Sequence, residues 1–185
     1  MMEKGKIIFL NGVSSAGKST LAKALQDSLD EPYYLLANDT FCDMSPEKFI
    51  DIDIMGTYRR ALSGLHHTIR AFSDAGIHTI VDHVMVKSDA CLGECLELLH
   101  DHPVLFVHVT CPLEELRRRE LERGDRGIGQ AESQLAGLEP QDTIYDITVD
   151  TFHQAAEECA QQIRAAVAHP ENFTAFRTLH KNGLP

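Results

Sequence analysis

The octapeptide Gly12-Val13-Ser14-Ser15-Ala16-Gly17-Lys18-Ser19 restricts what this chain can fold into more than any other stretch. It follows the apolar run Lys6-Ile7-Ile8-Phe9-Leu10, which reads as a buried strand. It precedes a segment that puts Leu21, Ala24, Leu25, Ser28 and Leu29 on one helical face. A strand, a glycine-rich turn and a helix in that order form a nest of backbone N–H groups backed by the positive end of the helix. Gly12 and Gly17 permit the sharp turn, Lys18 reaches the outer oxygens of a polyphosphate, and Ser19 offers its hydroxyl to Mg2+. Ser14, Ser15, Ala16 and Thr20 complete the predicted cradle. A glycine-rich turn with a solvated lysine is the bland alternative, but it accounts for neither the strand before the motif nor the helix after it. ATP and Mg2+ are the expected cofactors.

Such a loop identifies a bound nucleotide, not a reaction. The chain has no Asn-Lys-x-Asp element to read guanine, and 185 residues are too few for a motor core with its coupling elements. A small-molecule kinase remains. The rest of the pattern fits an α/β chain. Tyr33–Leu36, His78–Asp82, Val104–Thr110 and Ile147–Val149 read as further strands. Helical spacing recurs between them, through Tyr58, Ala61, Leu62, Leu65, Ile69 and Phe72, through Cys91–Leu99, and over Leu113–Arg123. A last helix is expected from Phe152 through Ala155, Ala156, Cys159 and Ile163 to Val167. Asn38–Gly56 reads as a polar irregular stretch, and the tail from residue 170 to 185 as a short helix or a loose end. Strands alternating with helices predict one domain over residues 1–185, a three-layer α/β/α fold around a central five-stranded parallel sheet.

Composition narrows the partners. The formal charge is −11, from 17 basic and 28 acidic residues, so the surface repels a phosphate backbone and nucleic acid is not an expected partner. The apolar runs are too short to cross a bilayer, and the first residues lead into a strand without an apolar leader. Cys42, Cys91, Cys95, Cys111 and Cys159 show no disulfide-scaffold spacing; free thiols and a cytoplasmic location are expected. Cys91, Cys95, His100 and His102 lie close together, but we read them as a buried thiol pair beside solvent histidines rather than a metal site. Neither a monomer nor a homo-oligomer is singled out.

A kinase needs a carboxylate beside the acceptor hydroxyl, and in parallel sheets such groups follow neighbouring strand ends. Asp39, just past the second strand, is the expected catalytic base and substrate contact, with Asp43 four residues on as a helper. Asp82 ends an apolar strand as the acidic partner of Mg2+ would, alongside Ser19. His83 is a candidate substrate contact, with a hydrogen-bonded core histidine as the plainer reading. Arg117, Arg118, Arg119, Arg123 and Arg126 crowd into ten residues beside Gly124, Gly127 and Gly129, which suggests an Arg-rich lid over about residues 123–133. Arg117 and Arg118 are assigned to the helix surface with nearby glutamates, and Arg123 and Arg126 to the nucleotide.

In the same order along the chain, these motifs resemble the chloramphenicol phosphotransferase family. The likeness rests on Ile8–Gly12 with Ser14–Ser19, Asp39-Thr40-Phe41-Cys42-Asp43, Thr79–Asp82, Arg119 with Arg123-Gly124-Asp125-Arg126, and Tyr145–Thr151. It implies a P-loop kinase fold and transfer from Mg-ATP to a primary hydroxyl of an antibiotic-like small molecule. It further implies Asp39 as base, Lys18 and Arg126 as catalytic groups, and Arg119 and Arg123 as nucleotide contacts. The segment Asp43–Tyr58, expected within an acceptor-binding stretch of about residues 39–60, is shorter than in the family's namesake. Met44, Phe49, Ile50, Ile54, Met55 and Met85 are its candidate apolar lining, or plain core. A nucleoside or nucleotide kinase stays open through Arg59 and Arg60, and so does a nucleotide-sensing protein without turnover.

Overall fold

The computed structural model describes residues 3–85, 90–123, 129–137 and 144–183. Five strands, β1 (Ile7–Asn11), β2 (Tyr33–Ala37), β3 (His78–His83), β4 (Val104–Thr110) and β5 (Ile147–Asp150), form a parallel sheet in the order β2-β3-β1-β4-β5. The expected three-layer parallel fold is the one observed. Every residue of β1 is buried, because helices cover both faces of a parallel sheet. Alternation along β1 assigns each side chain to a layer. Ile8 and Leu10 join a core cluster with Leu21 and Leu25 of α1 (Lys18–Ser28) and Ile163 of α8 (Ala156–Val167). Ile7 and Phe9 join the opposite cluster with α4 (Ile54–Asp74), α5 (Cys91–Leu99) and the C-terminal α9 (Ala175–Asn182).

Two readings of local structure fail. Asn38–Gly56 is not irregular. It contains α2 (Asn38–Asp43), α3 (Glu47–Ile50) and the start of α4. The breaks between them are made by Pro46 before α3 and by Asp53, whose side chain caps α4 by accepting from Gly56 N at 2.9 Å. The last long helix begins at Ala156, not Phe152, and Phe152 is 50% exposed. Asp150 accounts for the delay, since its carboxylate accepts from Phe152 N at 2.8 Å and holds a turn there. Of the two readings of the tail, the short helix is the one observed: a 3-10 turn (Pro170–Asn172) leads into α9, and Phe176 packs against Phe9 and Phe106 at ring distances of 5.5 and 4.9 Å. His102 also departs from expectation, being buried against Asp74 at 2.9 Å rather than solvated.

Asp146 joins this tail to the sheet. One carboxylate oxygen accepts from Phe106 N at 2.9 Å, and the other from Thr174 N and Ala175 N at 2.8 and 2.9 Å. It caps α9 from a distance in sequence that no local motif reveals. Asp146→Ala strands those donors and should cost about 3 kcal/mol, read as a lower urea midpoint with an unchanged slope.

A buried polar chain runs beneath β3. Glu94 accepts from Ser63 Oγ at 2.6 Å and from His66 Nδ1 at 2.7 Å, and His66 Nε2 lies 2.9 Å from His83 Nε2. The proton between the two Nε2 atoms comes from His83 when His66 is neutral and from His66 when it is protonated. Burial pushes His83 down from 6.5 to about 3, helped by the neighbouring His66. The unfolded chain takes up this proton below about pH 6.5 and the folded chain does not. Stability should therefore fall as pH drops from 6.5 toward 5, by up to ~1.4 kcal/mol per pH unit from this group. Urea midpoints measured at pH 7, 6 and 5 check this, and His83→Gln should flatten the dependence.

Candidate active site

The phosphate loop leaves β1 at Asn11 and enters α1 at Lys18, and its two glycines are required by space and by torsion. A Cβ on Gly12 would sit 2.5 Å from Val109 O, and Gly17 has φ 86°. Ser15 holds φ 62°, a left-handed conformation that costs an L-residue about 1 kcal/mol or more. Side chains from outside the loop hold it there. Thr151 Oγ1 donates to Ala16 O at 2.7 Å, and Arg119 donates to Ser15 O at 3.3 Å and to Thr151 O at 3.0 Å. Glu115 orients Arg119 at 2.8 Å, and hydrogen bonds from Arg118 and Arg119 hold its carboxyl well below the usual carboxylate range.

Register brings the acidic partners to this loop. Asp82 lies across from Leu10 on one side and Ala37 on the other, so the ends of β1, β3 and β2 open together. Ser19 Oγ donates to Asp82 Oδ2 at 2.7 Å, and Lys18 Nζ stands 3.8 Å from Asp82 Oδ1 while donating to Val13 O at 2.9 Å. Asp39, in the first turn of α2, lines the same cavity of about 210 Å³ as Ser15, Lys18, Ser19 and Asp82. Thr20 and Gly17 line it too.

The residues suit the expected ligands. Ser15 Oγ and Asn38 Oδ1 are buried without a hydrogen-bond partner, and Ser15 lies within the loop that would surround a phosphate. The Ser19 hydroxyl and Asp82 carboxylate are hard oxygen donors of the kind Mg2+ takes when phosphate and water fill its other positions.

The other sequence candidates are distributed differently. His83 is fully buried, stacked on Phe9 at 5.6 Å, and takes no part in lining the cavity; its burial is set by its inward place on β3. Asp43 is exposed at the end of α2 and does not line the cavity either. Arg118 pairs with Glu115 and Glu122 along its own helix as expected, whereas Arg117 reaches outside that helix to Glu132 at 2.8 Å. Arg119 reaches the far side of the loop and lines a hollow of about 410 Å³ with Gly17, Thr20, Thr151 and Gln154. Arg123 ends α6 (Leu113–Arg123), and its side chain lies outside the described residues, as does all of Arg126. The described part of the segment expected to form a lid holds the start of α7 (Gln130–Gly137). Met85 belongs to the core, whereas Met44 and Phe49 line an open groove of about 730 Å³ with Phe41, Arg60 and Ala61. Thr151, Asn38 and Gln134, whose Oε1 accepts from Ser14 N at 2.7 Å, escaped the sequence reading because nothing local marks them. Among the described residues no group of three or more potential ligands forms a Cys/His metal cluster, and no helix is long and apolar enough to cross a membrane.

Known proteins are similar to this chain in sequence and in fold. Residues 5–168 match the family described as chloramphenicol phosphotransferase-like protein. A Mycobacterium tuberculosis protein named as an O-phosphotransferase is 30% identical over 207 residues, covering 99% of this chain and 91% of its own length. A sugar kinase from a Janibacter species has a TM-score of 0.69 at 23% identity, over 91% of this chain and 98% of its own. The APS kinase of Mycobacterium tuberculosis, solved with AMPPNP and APS, gives 0.66 at 19% identity, over 89% and 98%. The two solved structures share the fold, and the family match extends along most of the chain. The chain belongs to the chloramphenicol phosphotransferase-like family of kinases and O-phosphotransferases and has the P-loop kinase fold.

Proposed function

We propose that this chain moves the γ-phosphoryl group of ATP onto a hydroxyl of a small molecule. The observation that carries the reading is the meeting of Asp39 with Lys18, Ser19 and Asp82 around one cavity. The loop amides and the N-terminus of α1 bind the phosphates, and Lys18 exchanges its Val13 carbonyl for phosphate oxygen. Ser19 and Asp82 would hold Mg2+, which when bound neutralises charge across the phosphates. Asp39 orients the acceptor hydroxyl and takes its proton as the new P–O bond forms and the bond to ADP breaks. Arg123 and Arg126 are assigned to the transferring phosphate on the strength of their place in the sequence.

The acceptor is a molecule with an apolar body and a free hydroxyl, chloramphenicol or a related antibiotic. The groove walled by Phe41, Met44 and Phe49, from the segment that follows Asp39, supports that class. Arg60 in the same groove favours, as a second reading, an acceptor that already carries an anion, such as a nucleotide.

Coupled ADP-release assays over hydroxylated antibiotics, nucleosides and metabolites separate these readings, and ADP release with none of them would leave a nucleotide sensor. Asp39→Asn should bind ATP as the parent does and lose about 10²–10⁴ in kcat. Equal turnover would remove Asp39 from the base role. Lys18→Ala should weaken ATP binding and turnover together, measured by titration calorimetry and the same assay.

A further inference from the structure

One peptide unit of the phosphate loop is gripped from both sides. The Val13 carbonyl accepts from Lys18 Nζ at 2.9 Å, and the N–H of the same unit, on Ser14, donates to Gln134 Oε1 at 2.7 Å. A backbone N–H can only donate, so the side-chain atom that faces it is the amide oxygen. Ser14 is 1% exposed, which keeps water from competing for this bond.

Gln134 is delivered there by a built support. It lies on α7, whose start is anchored by the Glu120 carboxylate, itself 1% exposed, through Gly129 N at 3.0 Å and Ala131 N at 2.7 Å. Ala131 and Leu135 of the same helix pack into the core cluster that contains Val13 and Ala16. Arg117 adds its ion pair to Glu132 at 2.8 Å. Core packing and paired charges together set where a side chain 120 residues from the loop arrives.

The adjacent residue explains why such a hold matters. Ser15 stands at φ 62°, and a left-handed L-residue persists only where its surroundings over-determine it. Gln134, Arg119 and Thr151 tether Ser14, Ser15 and Ala16 in turn. When a phosphate draws the Lys18 ammonium away from Val13, Gln134 still holds the other end of that peptide unit.

We propose that Gln134 is a positioning residue for phosphoryl transfer, keeping the Val13–Ser14 peptide oriented so that the loop amides are arranged for phosphate before it arrives. The proposal rests on the reading of this loop as the ATP site. Its ligand is the phosphate chain, so the effect should not depend on the base.

Calorimetric titration of ATP, ADP and inorganic tripolyphosphate into the whole chain, Gln134→Met and Gln134→Ala tests this, with hydrogen exchange of the loop amides as a second readout. We expect both variants to keep a cooperative melt, to bind all three ligands about fivefold or more weakly by a common factor, and to lose protection at Ser14. Gln134→Glu, which keeps an acceptor for the Ser14 N–H, should keep that protection. A parent chain that binds neither ATP nor tripolyphosphate would overturn the nucleotide site itself. A parent that binds, beside variants weakened by less than that factor or for ATP alone, would overturn only the role of Gln134. Loss of cooperative melting in both variants overturns it too, because Gln134 would then serve the fold rather than the loop.

Discussion

The hydrogen bond from Ser19 to Asp82 depends on strand register, and the site depends on that bond. Ser19 stands at the start of α1, while Asp82 is carried by β3, which pairs with β1 at Leu10 and with β2 at Ala37. A slip of one residue in either pairing would turn Asp82 toward the opposite layer, because side chains alternate along a strand. The buried faces prevent the slip. Ile8 and Leu10 belong to one core cluster and Ile7 and Phe9 to the other, so a shift would misplace both sets at once. Core packing thereby sets the distance between a hydroxyl and a carboxylate.

The loop is a second case of packing that enforces chemistry. A nest of N–H groups aimed at one point is not the conformation this backbone would choose, as the left-handed Ser15 shows. Its geometry is maintained by Thr151 after β5, Arg119 on α6 and Gln134 on α7, elements that follow the loop by more than 100 residues. The P-loop motif supplies the shape that can bind phosphate, and distant elements hold it ready in the absence of phosphate.

This division explains what could be read from sequence. Gly12–Ser19 was legible because glycine, lysine and serine act there through their own backbone and reach. The positions of Asp82 and Asp39 beside one cavity were legible because the first closes the apolar run of β3, one residue before that strand ends, and the second follows β2. Gln134 and Thr151 were not, since each matters only through a contact made by tertiary folding. Helix boundaries failed for a related reason. Phe152 has the spacing of a core residue, yet Asp150 ties the backbone into a turn and leaves the ring half exposed. The helices within Asn38–Gly56 were hidden because two are only six and four residues long, too short for an apolar period to show.

Charge poses the remaining physical problem, since a chain of net charge −11 must attract a polyanion. At ordinary ionic strength the long-range part of that repulsion fades over about 8–10 Å, whereas contacts inside a buried cradle are screened much less. Lys18 is 7% exposed, so under the proposed function its field would act on the phosphates through low-dielectric surroundings, in line with the positive end of α1. Arg117 and Arg118 contribute little there, being committed to glutamates on the surface of α6 and α7. Attraction is therefore concentrated in a few oriented groups at the loop, and the acidic exterior disfavours extended polyanions that would have to lie along it.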